Sequence, residues 1–349
     1  MICLEISCVL YYNSVKYKSA GEGCGFLLAT GVECAEMPEE STMILTVCLN
    51  PSTDVTIEID SLNIGKVNHV KNKTISFTGA ALNVAIGVAR LHGKSYATGF
   101  MYNENGSLFE QALDREGVPS VFVWNKGRVR ENYKFIDNKS MLTEVNDVGG
   151  CISENKQAEL IELVGRLSKT VNVMVVSGSL PQGVDSDYYG KLFSVAGEET
   201  LKIADTEGAR LLSALGTGLD LVKPNTDELQ ATLKREFKTR EEMLQGCYSL
   251  LDKGAKRVLL SLGKNGAIIT DGMKNYYCKS INVAINSTVG AGDGMLAAAA
   301  MMLEQGASLD EILRAGVAAG TATVTTFGQI SFTKEKYDEI FANIKVEEF

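Results

Sequence analysis

From Met43 onward, short apolar runs alternate with longer segments in which apolar residues recur at helical spacing. The runs 43–48, 95–101, 119–124, 172–177, 201–204, 219–222 and 256–261 are nearly continuous, as in VNVMVVSG and RVLLSLG, rather than cleanly alternating. Continuous runs suit strands buried on both faces of a parallel sheet. The helical spacing predicts helices over 80–92, 105–116, 153–169, 207–214, 225–235, 239–253, 290–305, 308–326 and 333–343. This order of strands and helices predicts an α/β fold: a doubly wound, mostly parallel sheet flanked by helices.

Two stretches follow a period of two instead. Residues 55–77 and 129–145 alternate apolar and polar positions, which suits half-exposed antiparallel strands. Paired together they would form a small β-sheet lid over the C-terminal ends of the parallel strands, where open α/β sheets bind ligands. The exposed edges of such a lid invite a second copy, which predicts a homodimer.

Residues 1–42 do not share the pattern. Their apolar patches are short and broken by Glu5, Lys16 and Glu22, with neither a membrane-span run nor a signal-peptide layout. At Met43 the character changes abruptly. The domain is therefore expected over 43–349, with 1–42 read either as a non-native upstream extension or as a poorly ordered tail.

Composition narrows the chemistry. The chain has 349 residues, 45% of them hydrophobic, enough for one large core. A net charge of −9 argues against a nucleic-acid partner, and an anionic ligand would have to be met locally by a few Lys, Arg and backbone N–H groups. The eight cysteines show no CxxC spacing and the two histidines, His69 and His92, stand alone, which argues against zinc. The thiols read as reduced and the protein as cytoplasmic, with no membrane partner.

Candidate chemistry concentrates at strand ends and helix starts. In STVGAGDGM, Gly290, Ala291 and Gly292 lead into a long apolar helix with Asp293 in its first turn. N–H groups at a helix start bind phosphate oxygens, and a carboxylate beside them can accept the proton of an attacking hydroxyl. The same Asp would equally serve as a plain helix-start stabiliser. The helix dipole is expected to keep it ionised. In LNPSTD, Asp54 either meets sugar hydroxyls or simply shapes a turn after Pro51. In TGAALN, Gly79 and Asn83 open a helix with a small-residue turn, from either ligand approach or close packing. VVSGSLPQGV ends a strand at a loop facing the same region. In VKPNTDE, Asn225 and Glu228 form a capping-box spacing, or else organise magnesium-bound water near nucleotide phosphates. Ser261, Gly263 and Gly266 in LSLGKNGA mark a hairpin, or the edge of a nucleotide pocket.

Taken in order, LNPSTD, TGAALNVA, SGSLP, DTEG (205–208), KPNTDE, SLGKNGA and TVGAGDGM resemble the PfkB carbohydrate-kinase family of the ribokinase-like superfamily, over nearly all of 43–345. The resemblance implies a ribokinase-like fold with a β lid, ATP and Mg²⁺. It implies that Asp293 is the catalytic base, that Gly290, Ala291 and Gly292 form the anion hole, and that Lys223, Asn225, Ser261, Gly263 and Gly266 meet the nucleotide. Glu228 would act on the metal through water. VRENYKF (129–135) and TEVND (143–147) are most similar to the sugar-phosphate branch, the 1-phosphofructokinases and tagatose-6-phosphate kinases. That branch implies that Asp54, Gly79 and Asn83 touch the sugar, while Lys66 and Arg130 neutralise its phosphate. Arg128 and Lys134 are expected on the face of Arg130. The expected reaction is ATP-dependent phosphorylation of fructose 1-phosphate to fructose 1,6-bisphosphate, with tagatose 6-phosphate or fructose 6-phosphate as the next acceptors.

One departure bears on the acceptor. Where that branch often carries GGKGxN, this chain has Thr78-Gly79-Ala80-Ala81-Leu82-Asn83, without the lysine. The alternatives are a free-sugar or nucleoside kinase of the same superfamily, which needs neither Lys66 nor Arg130, and a sugar-phosphate sensor without turnover. A dinucleotide enzyme is disfavoured because no GxGxxG follows the first strand.

Overall fold

The run at 44–48 forms a strand in which every residue is buried, β1 (Ile44–Cys48). The chain continues through β2 (Ser52–Glu58), β3 (Asn72–Thr78), α1 (Ala80–Arg90), β4 (Ser95–Tyr102), α2 (Ser107–Arg115), β5 (Ser120–Asn125), β6 (Arg130–Ile136), β7 (Leu142–Asn146), α3 (Glu154–Leu167) and β8 (Val173–Ser177). It then forms α4 (Tyr188–Ser194), β9 (Leu201–Asp205), α5 (Gly208–Leu215), β10 (Leu221–Val222), α6 (Thr226–Leu233), α7 (Arg240–Leu251), β11 (Val258–Ser261), β12 (Ala267–Thr270) and β13 (Asn275–Cys278). The last elements are α8 (Ala291–Glu304), α9 (Leu309–Val324), α10 (Lys334–Asn343) and β14 (Val346–Glu348). This computed structural model describes residues 43–139, 141–326 and 330–349, so the expectations about 1–42 lie outside the described residues.

The main sheet has ten strands in the order β14-β13-β12-β11-β10-β9-β8-β1-β4-β5. From β5 through β4, β1, β8, β9 and β10 to β11 all neighbours are parallel, and β12, β13 and β14 extend that edge antiparallel. Strands are first added on one side of β1 and then, from β8, on the other. The strand order thus reverses at the β1/β8 junction, the place where doubly wound sheets open a crevice for ligands.

A second sheet has the order β3-β2-β6-β7. The segments 55–77 and 129–145 do pair, but their shared neighbours β2 and β6 run parallel, not antiparallel. They come from separate passes of the chain, so no tight turn forces them to oppose. Antiparallel pairing is confined to β2 with β3 and β6 with β7. The strand also begins at Ser52, which places Asp54 inside β2 rather than in a turn.

One layer of the core sits between the main sheet and α1, α8 and α9, with Val84, Val88, Leu296, Ala297, Ala299, Ile312 and Ala318 all buried, and α3, α4, α5 and α7 bury a further set that includes Val164, Tyr189, Phe193, Leu211 and Leu250. Full burial of a side chain such as Leu296 or Val88 contributes roughly 1.5–3 kcal/mol relative to exposure. Small residues let α1 and α8 approach closely: a Cβ on Gly87 would lie 2.7 Å from that of Ala297. Among the described residues, no helix is long and apolar enough to cross a membrane.

Candidate active site

Helix starts in this chain fall into two kinds, those with a side-chain cap and those, α1 to α5 and α8, without one. α6, α7 and α9 begin with side-chain capping boxes, Asn225 with Glu228, Thr239 with Glu242 and Ser308 with Glu311. α1 and α8 instead begin on Gly79 and Gly290 with no side-chain cap, so their first N–H groups are not taken by a cap. Gly290 has φ 82°, a left-handed conformation that a side chain would strain. The two helices pack together, and Asn83 Nδ2 of α1 donates to Asp293 Oδ2 of α8 at 2.7 Å.

Two cavities meet there. The smaller, about 260 Å³, lies beyond the ends of β1 and β8 and is walled by Asn50, Asp54, Asn83, Arg130, Ser179 and Asp293, among others. The larger, about 680 Å³, continues past the ends of β9, β10 and β11, with Asp205, Lys223, Asn225, Glu228, Gly263 and Asp293 in its wall. Asp293 lines both, as do Ala80, Ser177, Gly178 and Ser179.

The structure brings most of the expected residues together. Asp54, Gly79, Asn83 and Arg130 line the smaller cavity, whereas Lys223, Asn225, Glu228, Ser261, Gly263, Gly266, Ala291 and Gly292 line the larger. Lys66 is the exception. It is exposed on the connection between β2 and β3 and lines neither cavity. Arg128 also departs from expectation: it precedes β6 and pairs with Glu131 at 3.1 Å on the surface. Lys134 does share the face of Arg130, but it is buried and bonded to Asp54.

Charge is unevenly distributed. Lys223 Nζ lies 2.9 Å from Asp205 Oδ1, and both side chains are buried. Burial pulls Lys223 down, but Asp205, Glu228 and Asp293 together push it above its ordinary value. Burial, then the neighbouring Asp205, raises Glu228 against the pull of Lys223. Asp293 is enclosed by protein yet open to the cavities. Burial raises it to about 7, with Asp205 and Glu228 adding to the rise and the Asn83 hydrogen bond and Lys223 opposing it. The expectation that the helix dipole keeps it ionised left out this burial and these neighbours, which favour the neutral form. Three carboxylates thus face one lysine in this stretch of wall.

In the smaller cavity, Arg130 donates from Nη1 to Asp147 O at 2.9 Å and to Asn132 Oδ1 at 3.3 Å. Its Nε, and Oδ1 of Asn50, are buried without a hydrogen-bond partner in the protein. Burial pushes the Cys48 thiol up to about 12, so it stays protonated in the same wall.

The sequence pattern of the pfkB family of carbohydrate kinases matches residues 49–336. The chain belongs to that family. It is therefore a phosphotransferase that acts on a hydroxyl acceptor, with the ribokinase-like fold. A 1-phosphofructokinase of Borreliella burgdorferi is 30% identical over 308 residues, covering 88% of this chain and 99% of its own. A D-tagatose-1-phosphate kinase of Bacillus licheniformis is 35% identical over 288 residues, covering 82% and 94%. The crystal structure of phosphofructokinase-2 from Escherichia coli in complex with potassium superposes with TM-score 0.81 at 30% identity, covering 86% of this chain and 99% of that one.

Sequence reasoning assigned no site role to several residues of this pfkB-family cavity. Asp205, quoted only within DTEG, accepts from Ser177 Oγ at 3.0 Å and holds Lys223. Asn50 donates through Nδ2 to Ser179 Oγ at 3.2 Å and to Leu180 O at 3.2 Å, tying the two strand-end loops together. Asn132 and Lys134 join Asp54. The available signal was position alone: each follows or sits on a strand that points at the crevice.

Proposed function

We propose that this chain transfers the terminal phosphoryl group of ATP to a hydroxyl of a phosphorylated ketohexose, with fructose 1-phosphate first among the acceptors and tagatose 6-phosphate and fructose 6-phosphate next. The observation that carries this reading is the position of Asp293, whose carboxylate lines both cavities. An acceptor in the smaller cavity and a nucleotide in the larger would meet at that residue.

The acceptor hydroxyl would lie within reach of Asp293, which takes its proton; a carboxyl group raised to about 7 is well matched to that task at neutral pH. Asn83 fixes the carboxylate by its 2.7 Å bond. The start of α8 at Ala291 and Gly292, both in the wall of the larger cavity, would meet the charge that develops on the transferring group; of the two N–H groups, that of Ala291 also donates to Thr288 O at 3.4 Å. Arg130, in the wall of the smaller cavity, would meet the phosphate that the acceptor already carries. Asp54 orients the sugar hydroxyls. Lys223 and the turn carrying Ser261, Gly263 and Gly266, which lines the larger cavity, would hold the nucleotide.

The grouping of Asp205, Glu228 and Asp293 around Lys223 in the larger cavity suits a divalent cation carried on the nucleotide phosphates. Among the described residues no three His, Cys, Asp or Glu side chains are grouped to hold a metal ion alone, so Glu228 would reach Mg²⁺ through water. When bound, Mg²⁺ neutralises phosphate charge.

We also propose that the protein assembles as a homodimer through the lid. Exposed apolar residues on the lid support this; a relative, phosphofructokinase-2 from Escherichia coli, is described in a tetrameric inhibited form, which makes a higher multiple the other outcome.

The reading is tested by ADP release with Mg-ATP and fructose 1-phosphate, fructose 6-phosphate, tagatose 6-phosphate, fructose, ribose and adenosine side by side. The expected result is strong preference for one phosphorylated ketohexose. Turnover confined to an unphosphorylated sugar or a nucleoside would keep Asp293 as the base and remove the role given to Arg130.

A further inference from the structure

The smaller cavity poses a charge problem. Among the described residues that line it, the charged side chains are Asp54, Arg130 and Asp293, two negative and one positive. A phosphorylated sugar entering this space is itself a dianion at neutral pH. With only these three groups the cavity would repel it.

The missing positive charge stands directly behind Asp54. Lys134 Nζ lies 2.7 Å from Asp54 Oδ2, and the two side chains are only 11% and 7% exposed. The sheet register makes this contact. Asp54 pairs with Asn132 and Thr56 with Lys134 across β2 and β6, so Asp54 and Lys134 are diagonal neighbours on one face. Asn132 Nδ2 and Ser52 Oγ donate to the other oxygen, Asp54 Oδ1, at 3.0 and 2.9 Å. The lid has spent a nearly buried ammonium group on a carboxylate in the cavity wall. A buried ion pair is a poor source of stability, because both partners are desolvated, so its presence calls for another explanation.

We infer that Lys134 is a charge-compensating, specificity-determining residue: it cancels Asp54, bringing the wall from net negative to neutral, so that Arg130 can meet a phosphorylated acceptor with only Asp293 opposing it. The inference rests on the acceptor reading given above. Lys134 acts through Asp54 and needs no contact with substrate.

Uncompensated, the Asp54 charge facing a phosphate dianion across a few ångströms of partly screened protein weakens binding by roughly 10- to 100-fold. The test is a double-mutant cycle on the full chain, with Lys134→Met, Asp54→Asn and both together. The probe is whichever of fructose 1-phosphate, fructose 6-phosphate and tagatose 6-phosphate the unaltered enzyme turns over best. Lys134→Met should raise KM for that sugar phosphate by roughly 10- to 100-fold, with kcat changed far less. Adding Asp54→Asn to Lys134→Met should lower KM again, although it removes a second group from the wall. A residue that only propped up the lid would instead give a double variant worse than either single one. An unchanged KM in Lys134→Met, or a double variant no better than it, overturns the inference. Should Lys134→Met fail to fold, the double variant is compared with Asp54→Asn alone. A KM close to that of Asp54→Asn then supports charge compensation, and a KM tenfold or more above it rejects it. If the unaltered enzyme turns over none of the three sugar phosphates, the acceptor reading itself has failed, which is a different result from a cycle without coupling.

Discussion

Asp293 is pulled in two directions at once. Burial and the neighbouring Asp205 and Glu228 favour its neutral form, whereas Asn83 and Lys223 favour the carboxylate, and the balance falls at about 7. Catalysis should therefore track its ionisation. We expect kcat/KM to rise with pH through about 7 and then level, with roughly a tenth of the plateau at pH 6. Asp293→Asn should lower kcat by roughly 10²- to 10⁴-fold and lose this limb of the profile. Near-normal turnover in that variant would remove Asp293 from the mechanism. The same shift has a cost for the folded chain. Because the folded protein holds this proton more tightly than the unfolded one, stability falls as pH rises from the ordinary carboxylate range towards 7 and then levels. Asp293→Asn should therefore raise the melting temperature more at pH 8 than at pH 4. The residue itself was legible in the sequence, because small residues before an acid at a helix start have a direct physical meaning. Its pKa was not, since Asp205 and Glu228 reach it only through the fold. Lys134 shows the same limit: strand alternation gives its face, but its partner Asp54 lies 80 positions away in sequence.

At the level of elements, the site depends on how closely α1 and α8 pack, because their contact sets the Asn83–Asp293 bond. Gly87 is a point of close approach. An added Cβ would lie 2.7 Å from Ala297 Cβ, and the helix on the other side cannot yield without moving. Gly87→Val should cost roughly 1–3 kcal/mol by overpacking and lower kcat by shifting Asn83 from Asp293. Gly165 in α3 is a useful contrast. Its added Cβ would meet Val195 Cβ at 3.5 Å, an ordinary contact, so Gly165→Ala should gain up to about 1 kcal/mol from helix propensity and leave kcat alone. Urea unfolding and steady-state kinetics on both variants separate the two effects, and equal stability changes would sink the argument. The long elements were readable because their apolar patterns are dense: α8 and α9 bury most of their residues, and β1 and β8 are buried throughout. The short helix α4, YYGKLFS, gives too few turns for a period to emerge, and β13 and β14 are only a few residues each. The parallel pairing of β2 with β6 was hidden for another reason: alternation gives the faces of a strand but neither its neighbour nor its direction.

For the whole molecule, the lid poses the remaining question, because its two faces differ in kind. The face carrying Asp54, Asn132 and Lys134 is polar. On the other, the register sets Ile75, Val55, Tyr133 and Val145 in one row across all four strands. Val55 is 3% exposed, whereas the ends of the row, Ile75 and Val145, are 49% and 56% exposed on the edge strands β3 and β7. Ile64 and Val67, on the connection between β2 and β3, are 94% and 81% exposed. Scattered apolar residues are normal on a surface, but a row that runs to two open sheet edges is the arrangement that pairs with another copy. Covering these residues is favourable at roughly 25 cal/mol per Å² of apolar area, which a second lid of the same composition can supply. The expected species in sedimentation velocity is therefore a dimer or a multiple of it. The double variant Ile75→Glu, Val145→Glu should sediment as a monomer, because a charge at each end of the row must either be desolvated or hold the copies apart. A variant that stayed associated would place the interface on another face, and an unaltered protein that ran as a monomer would leave the lid a single-chain device, with its apolar row open to solvent.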